Sequence, residues 1–300
     1  MRDTLPPTPP SRATMPCLAV VGLLMSNSAL AGYPDDVSLS QLESWNGEAF
    51  TDSSTLGFAY SAVVKQLAVG IANKPLTPAE TLGVHGFDVA FTSGITFIDA
   101  HSDESSEPAP WQRVHPEGDP TRVMWVPGLT ARKGLPFSLE MGANLGYIAF
   151  SNQTVFGAYG RWAFLEGYRD FPDVSAQLGY SGYIGNDELD LGVMDASMSV
   201  GYTVPFGHLA GISSATISPY IGAGVMVITA SPILSESAMN DLGIAPVSGF
   251  PKSENNAEGY VPPALHAGFR LLSGDVQFSL ATTIALRVAV TMDGAIGFVF

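Results

Sequence analysis

The segment FSLEMGANLGYIAF, Phe137 to Phe150, decides how the rest of the sequence is interpreted. Its apolar and polar residues alternate along the chain, which is the two-residue period of a β-strand. One face carries Phe137, Leu139, Met141, Ala143, Leu145, Tyr147 and Ala149, and the other carries Ser138, Glu140, Gly142, Asn144 and Gly146. The alternation lasts longer than the strand of about five or six residues that is usual in globular proteins. We therefore expect a long strand whose apolar face needs an apolar environment.

The whole chain is as apolar as this segment. Of its 300 residues only 14% are charged, and the mean hydropathy is +0.22. Soluble globular domains usually carry about 25% charged residues. The shortage of charge indicates that much of the outer surface does not face water.

The N-terminus has the pattern of a signal peptide. Arg2 and Arg12 precede the apolar run CLAVVGLLM, and Ala29-Leu30-Ala31 fits an A-x-A cleavage site. We therefore expect residues 1–31 to be removed. The run is too short to span a bilayer.

Removal of this segment determines the chemistry left in the mature chain. Cys17, the only cysteine, would be lost, which leaves no disulfide, cysteine-bound metal or cysteine nucleophile. The mature chain would carry 11 basic against 27 acidic residues. Nucleic acid is not expected as a partner, because binding phosphates requires a cationic face.

Residues 32–84 have a helical rather than a strand pattern. Ser40 with Glu43, and Thr77 with Glu80, have the spacing of a capping box. Between them, Val63, Val64, Leu67, Ala68 and Ile71 recur at helical spacing. We expect short helices that form a plug inside, or a cap beneath, the structure that follows; a leader packed on the surface is the alternative.

From residue 85 onward the period is two. Candidate strands cover residues 85–98, 121–133, 137–150, 154–165, 173–184, 188–204, 215–229 and 258–272, with further strand material in 275–300. The last segment is too long for one strand, so ten strands follow if it folds back on itself. Eight follow if an earlier assignment such as 85–98 is wrong; ten is favoured. The long connections, 99–120 and 230–257, fall on one side, and the short ones, 134–136 and 273–275, fall on the other.

Residues 85–300 resemble bacterial outer-membrane β-barrels in strand length, alternation and unequal loops. The C-terminus AIGFVF, with Phe298 and Phe300, resembles the terminal signal read by the barrel-assembly machinery. The resemblance implies a closed antiparallel transmembrane β-barrel in the bacterial outer membrane. It implies lipid, lipopolysaccharide and the assembly machinery as partners, and leaves the oligomeric state open. The alternatives are a soluble β-sandwich and a helical span through residues 209–234, which Pro219 and Pro232 interrupt.

Aromatic side chains are expected at both membrane interfaces. On this topology they fall near the outer strand ends at Trp125, Tyr147 and Tyr180, and near the inner ends at Trp162 and Tyr202.

The opposite faces of the strands would line the lumen. The charged and polar residues expected there are Asp88, Glu140, Arg161, Gln177, Asp195, His266, Arg270 and Arg287. These groups either pair and seal a small barrel, or line water and form the constriction of a pore.

Patterns for catalysis are nearly absent. No G-x-S-x-G or H-E-x-x-H motif occurs, and Ser181 in GYSGY lacks the final glycine. His266, on an inward face near the middle of its strand, is the only candidate for catalysis inside a predicted transmembrane strand. The acidic NDELD, residues 186–190, lacks the spacing of a calcium loop. We expect no enzyme activity, no metal and no cofactor; divalent ions bridging NDELD to lipopolysaccharide are a sharper alternative.

Two functions remain. The first is a narrow pore for small or hydrophobic solutes, with the N-terminal helices as a plug. The alternative is a sealed structural or surface-interaction barrel that presents acidic loops and transports nothing.

Overall fold

A computed structural model describes residues 36–45, 53–101, 108–115, 120–167, 171–209, 212–250 and 260–300. The predicted signal peptide lies outside the described residues. The strands are β1 (Phe87–Phe97), β2 (Val123–Leu135), β3 (Leu139–Tyr147), β4 (Thr154–Leu165), β5 (Asp173–Ile184), β6 (Leu189–Gly201), β7 (Val204–Leu209), β8 (Ile212–Pro232), β9 (Val247–Ser248), β10 (Pro263–Ser273), β11 (Val276–Ala285) and β12 (Ala289–Val299). The helices are α1 (Gln41–Trp45), α2 (Ser53–Ile71), α3 (Pro110–Arg113) and α4 (Glu236–Leu242).

Ten of these strands form a single closed antiparallel barrel. Each of β1 to β6 pairs with the next, β6 pairs with β8, β8 with β10, and β10 to β12 follow in order. The sheet closes where β12 pairs with β1, from Asp88 opposite Val299 to Phe97 opposite Val290. The prediction of a closed barrel with ten strands is confirmed, and a sandwich of two sheets is excluded.

Two short strands extend the barrel without adding to its circumference. The strand β7 continues the line of β6 along the first residues of β8, and β9 continues the line of β10 along the last residues of β8. Because β8 runs across residues 212–232, the segment proposed as a helical span is a strand. Among the described helices, none is long and apolar enough to cross a membrane.

The C-terminal segment folds back on itself, as ten strands require. The strands β11 and β12 form a hairpin whose turn lies at residues 286–288, with Arg287 at a φ of 63°. The backbone N–H of Val288 donates to the carbonyl of Ala285 at 3.0 Å. A two-residue alternation therefore continues on both sides of a turn that carries no glycine.

The two ends of the barrel differ. Connections 98–122, 148–153, 185–188, 233–262 and 286–288 lie together at what we name the long-loop end. Turns 136–138, 166–172 and 274–275 lie at the opposite, short-turn end, together with the start of β1 and the C-terminal Phe300. The two longest connections and the two short turns that the sequence identified lie at opposite ends, as predicted, although short connections such as 286–288 also occur at the long-loop end.

The outer face of the barrel is apolar. Every barrel strand carries exposed outward apolar side chains, and the following ten, one from each strand, are between 43% and 65% exposed: Phe91, Leu129, Met141, Phe156, Leu178, Met198, Ile221, Leu265, Leu280 and Ile296. A continuous apolar surface of this extent is not found on soluble monomers. The chain has the architecture of a transmembrane β-barrel, in which this band faces hydrocarbon.

Candidate functional site

The lumen of the barrel is occupied by the chain's own residues 36–86, which we name the lumen segment. It begins among the loops of the long-loop end, continues as α2, and reaches the short-turn end where β1 starts. The helix α2 contacts β1, β2, β5, β6, β8 and β12, so strands on opposite sides of the barrel pack against it. The helix α2 therefore lies inside the barrel, in the position that a plug would occupy, whereas α1 packs against α3 and α4 at the long-loop end.

The half of the lumen near the long-loop end is an apolar core. The buried side chains of α2 include Leu56, Val63, Val64, Leu67 and Val69. They pack on inward residues of the wall, among them Val155, Tyr183, Leu191, Val193 and Ile228. Both surfaces are apolar, so burial of α2 is driven by the hydrophobic effect. From Ala59 to Ile71 the helix has no exposed side chain, because protein surrounds this part of it.

One buried amide ties α2 to the long loop 98–122. The side-chain oxygen of Gln66 accepts hydrogen bonds from the Trp111 indole N–H at 2.6 Å and from the Asp99 backbone N–H at 3.0 Å. On the opposite flank, the Lys65 ammonium lies 4.6 Å from the centre of the Tyr260 ring. Burial raises the pKa of the Tyr260 hydroxyl above its usual range, and a hydrogen bond with Ser61 opposes part of that shift. These contacts fix the helix beneath the loops.

Past the end of α2, polar contacts hold the lumen segment to the middle of the wall. The side-chain amide of Asn73 donates to the carbonyl of Tyr180 at 2.8 Å and accepts from the amide of Asn144 at 2.5 Å. The next residue, Lys74, forms a buried ion pair with Asp293 at 3.5 Å. Three strands, β3, β5 and β12, are thereby connected through two adjacent residues of the segment.

The short-turn half of the wall carries a buried charge cluster centred on Arg132. Its Nη2 atom lies 2.6 Å from Asp88 and 3.3 Å from the Gln277 oxygen, and its Nη1 atom lies 3.4 Å from Glu140. All four side chains are at most 3% exposed. An isolated charge at this depth would be costly, but pairing and hydrogen bonds compensate it.

Arg161 extends this cluster to the lumen segment. One of its terminal nitrogens donates to the Thr77 hydroxyl at 2.6 Å and to the Pro78 carbonyl at 3.0 Å, and the other donates to Gln177 at 2.7 Å. Glu140 lies 3.7 Å away. The guanidinium therefore joins β3, β4 and β5 to the segment that fills the lumen.

Two carboxylates take part in binding the lumen segment to the wall at the short-turn end. Glu80 pairs with Arg270 of β10 and accepts a hydrogen bond from Thr203 at 2.8 Å. Glu166 accepts from the Thr81 backbone N–H at 2.5 Å and from its hydroxyl at 2.9 Å. The last part of the lumen segment is thus held on two sides of the barrel.

Asp195 and His266, both expected in the lumen, point inward and are buried. The Asp195 carboxylate interacts with the side-chain amides of Asn73 and Gln177, and the nearby cavity is only about 20 Å³. His266 Nε2 lies 2.8 Å from the Ser199 hydroxyl, which is the contact between a nucleophile and a base. Because both residues are at most 5% exposed, a substrate has no access to this pair in the closed barrel.

Of the eight residues predicted to line the lumen, seven point into it and one lies elsewhere. Asp88, Glu140, Arg161, Gln177, Asp195, His266 and Arg270 all point into the lumen and are at most 6% exposed. Arg287 is exposed in the turn between β11 and β12 at the long-loop end, so its predicted lumen position is wrong. Contrary to the expected set of three bases, the described cations of the lumen include Arg132 and Lys74.

The predicted interface aromatics all point outward. Near the long-loop end are Trp125, Tyr147 and Tyr180, which are 41%, 43% and 58% exposed; near the short-turn end are Trp162 and Tyr202, at 54% and 45%. Phe298 and Phe300 of the predicted assembly signal are also outward, at 55% and 72%. The rings lie toward the two rims of the apolar band.

The acidic loop NDELD anchors the lumen segment. Asn186 caps its own loop by accepting from the backbone N–H groups of Glu188 and Leu189, and donates to the Val37 carbonyl at 2.7 Å. The Glu188 carboxylate accepts from the Ser40 backbone N–H at 2.8 Å. Within the described ranges, no group of three or more His, Cys, Asp or Glu residues could hold a metal ion.

One polar cavity remains between the lumen segment and the wall. Its volume is about 90 Å³, which is room for several water molecules. Its lining includes Arg132, Ser279 and Asp293, each with a buried polar atom that has no partner among the described residues. Solvent in this cavity would satisfy those atoms.

Comparison with known proteins finds solved structures with a similar fold but no protein with a similar sequence. No protein-family model matches the chain, and no curated protein does. The transport unit of the autotransporter AIDA-I from Escherichia coli is 10% identical, with 81% of this chain and 97% of that chain covered and a TM-score of 0.33. The translocator domain of the autotransporter NalP from Neisseria meningitidis is 12% identical over 85% and 99%, with a TM-score of 0.29. The outer membrane protein Omp33 of Acinetobacter baumannii is 12% identical over 72% and 98%, with a TM-score of 0.24. The barrel architecture of this chain rests on its own strand pairing.

Proposed function

We propose that this protein is an integral barrel of the bacterial outer membrane, closed at rest by its own lumen segment, that presents acidic loops at the cell surface. One observation carries the closed state. Among the described residues, 53–86 pass through the lumen from one end to the other, with an apolar core in one half and paired charges in the other. A barrel of ten strands is slightly wider than the eight-stranded barrels that side chains alone can fill, and here α2 occupies the additional space.

The apolar outer band supports the membrane location. Only a closed barrel satisfies the backbone hydrogen bonds of strands that face hydrocarbon. Lipid and lipopolysaccharide would cover this band, and the barrel-assembly machinery would receive the outward Phe298 and Phe300 on β12. Acidic groups at the long-loop end, such as Glu43, Asp187 and Glu236, would face the exterior. We propose no catalytic role.

A gated pore is the second candidate, and the polar cavity favours it. The short-turn half of the wall carries charged groups that water could solvate if the lumen segment moved aside, and a cavity of about 90 Å³ already lies along that path. The narrow pore for small solutes expected from the sequence then needs displacement of the segment. A route for hydrophobic solutes has less support, because the apolar half of the lumen is packed with side chains.

Conductance in a planar bilayer tests the proposal. The unmodified protein is expected to give no stepwise current, because no continuous water path crosses the closed lumen. Frequent steps from the unmodified protein under the same voltage would refute the closed state.

A matched pair of variants separates the two candidates. Glu80→Gln removes the charge that pairs with Arg270, whereas Glu43→Gln removes an exposed charge outside the lumen. Steps from the Glu80 variant alone would favour a gated pore. Silence from both variants would favour a permanently sealed barrel.

A further inference from the structure

We infer that the chain threads its own barrel in one pass, so that residues 36–45 lie on the outer side of the membrane while β1 begins on the inner side. This inference concerns which side the N-terminal part reaches. It rests on the proposed function for the assignment of the long-loop end to the exterior.

The first described residues are bound to loops of the long-loop end alone. Asp36 accepts from the Asn152 backbone N–H at 2.9 Å, and Ser38 donates its backbone N–H to Val114 at 2.8 Å. Glu188 accepts from the Ser40 backbone N–H at 2.8 Å. The partners belong to three different connections, 148–153, 98–122 and 185–188, that meet at the same end.

The later residues of the segment contact the wall at positions that are successively closer to the short-turn end. Asn73 meets the middle of β3, β4 and β5. Thr77 meets Arg161, and Thr81 meets Glu166 beyond the end of β4. The order of contacts along the wall follows the order of residues in the chain, and this order requires a single pass from one end to the other.

The length of the segment agrees with a full crossing. The helix α2 has 19 residues, which at 1.5 Å per residue corresponds to about 28 Å. Residues 72–86, which form neither helix nor strand, cover the remaining distance to the start of β1. The apolar band of an outer-membrane barrel is about 25 Å tall, so the segment has ample length.

The two ends of the lumen segment therefore lie on opposite sides of the membrane. A chain whose N-terminal part stays on the inner side would enter β1 without passing through the lumen. Here the part before α2 contributes to the outer surface beside the long loops, where Ser40, Glu43 and Ser44 are exposed.

Single cysteines in intact bacteria test this topology. In a Cys17→Ser background no other thiol is present. Ser44→Cys reports the part before α2, Asp187→Cys reports the long loops, and Asp275→Cys reports the short-turn end; all three sites are exposed. The probe is a polyethylene-glycol maleimide too large to pass the outer membrane, and gel mobility gives the labelled fraction before and after permeabilisation.

The expected result is full labelling of Ser44→Cys and Asp187→Cys in intact cells, and labelling of Asp275→Cys only after permeabilisation. Labelling of Asp187→Cys with no labelling of Ser44→Cys until permeabilisation would overturn the threading alone. Failure of Asp187→Cys to react in intact cells would overturn the proposed orientation in the outer membrane as well. Glu43→Cys, on the same exposed turn of α1, serves if Ser44→Cys fails to fold.

Discussion

Replacement of Arg161 by methionine tests whether the lumen segment fills the barrel and is bound to its wall. The guanidinium is 4% exposed and donates to Thr77 at 2.6 Å, Pro78 at 3.0 Å and Gln177 at 2.7 Å. Methionine fills a similar volume without any donor. The substitution therefore removes the contacts of one wall residue with the lumen segment while the barrel strands keep their pairing.

The expected loss follows from these three partners. A hydrogen bond from a charged group contributes about 1.5–3 kcal/mol, so three such bonds correspond to roughly 4.5–9 kcal/mol before desolvation is considered. The guanidinium regains hydration on unfolding, which offsets part of that sum. Removal of one partner from a buried charged network costs about 3–5 kcal/mol, and we expect the free energy of unfolding to fall by this amount.

Urea unfolding in phospholipid vesicles measures the change, with tryptophan fluorescence and heat-dependent gel mobility as two readouts. Thr77→Val removes a single hydroxyl contact and is expected to cost about 1–3 kcal/mol. Arg122→Met, which removes an exposed arginine from a long loop, is the matched control and should change stability by less than about 0.5 kcal/mol. A loss below about 1 kcal/mol for Arg161→Met, the value of a solvent-exposed pair, would refute the reasoning.

Three further substitutions examine other parts of the account by the same unfolding measurement. Arg287→Gly should raise the free energy of unfolding by about 1 kcal/mol, because Arg287 is exposed at a φ of 63° that glycine adopts without strain; a loss of several kcal/mol would return this residue to the lumen. Leu178→Lys places a charge on the lipid face near the middle of β5 and should cost about 2–4 kcal/mol, whereas Glu43→Lys on an exposed helix should be nearly neutral; equal effects would contradict a lipid environment. Gly70→Leu should cost about 1–3 kcal/mol by overpacking, since even a Cβ there would lie 1.7 Å from the terminal carbon of Met124; unchanged stability would argue against a tight fit of α2 in the wall.

The barrel strands could be predicted because lipid imposes one simple pattern on them. In β3 and β5 every second side chain faces hydrocarbon, so the two-residue period in sequence has a single physical cause. Strand ends were predicted within a few residues for the same reason. The strand number followed because 275–300 is too long for one strand and must turn.

Inward side chains were harder to predict where the alternation of polar and apolar residues does not show which residue points inward. Arg132 and Lys133 are adjacent, so one of them must point inward, and only the pairing register decides which. Arg287 has the same parity as the inward Gln277 and Ala285, but the chain turns before it is reached. The two-residue alternation was therefore identified correctly, but the sequence gives no signal for the turn at residues 286–288.

The lumen segment was only partly predictable. Helical spacing in residues 57–72 indicated α2, but a helix that is apolar all round carries no signal for what surrounds it. Thr77 and Glu80 have the spacing of a capping box, but no helix follows them in the structure, so that expectation is wrong. The partners of Lys74 and Glu80, which are Asp293 and Arg270, are distant in sequence. Contacts of this kind arise from closure of the barrel around the segment.

Spin labels at successive positions of β5 test most directly whether lipid covers the outside and protein fills the inside. Cysteines at Ala176, Leu178 and Tyr180 report the outward face, and cysteines at Gln177, Gly179 and Ser181 report the inward face. In vesicles, the outward labels are expected to collide with dissolved oxygen and not with a polar nickel chelate, while the inward labels collide with neither. Collision of the inward labels with the chelate would show an open aqueous lumen. Collision of the outward labels with the chelate would show that the apolar face does not lie in a membrane.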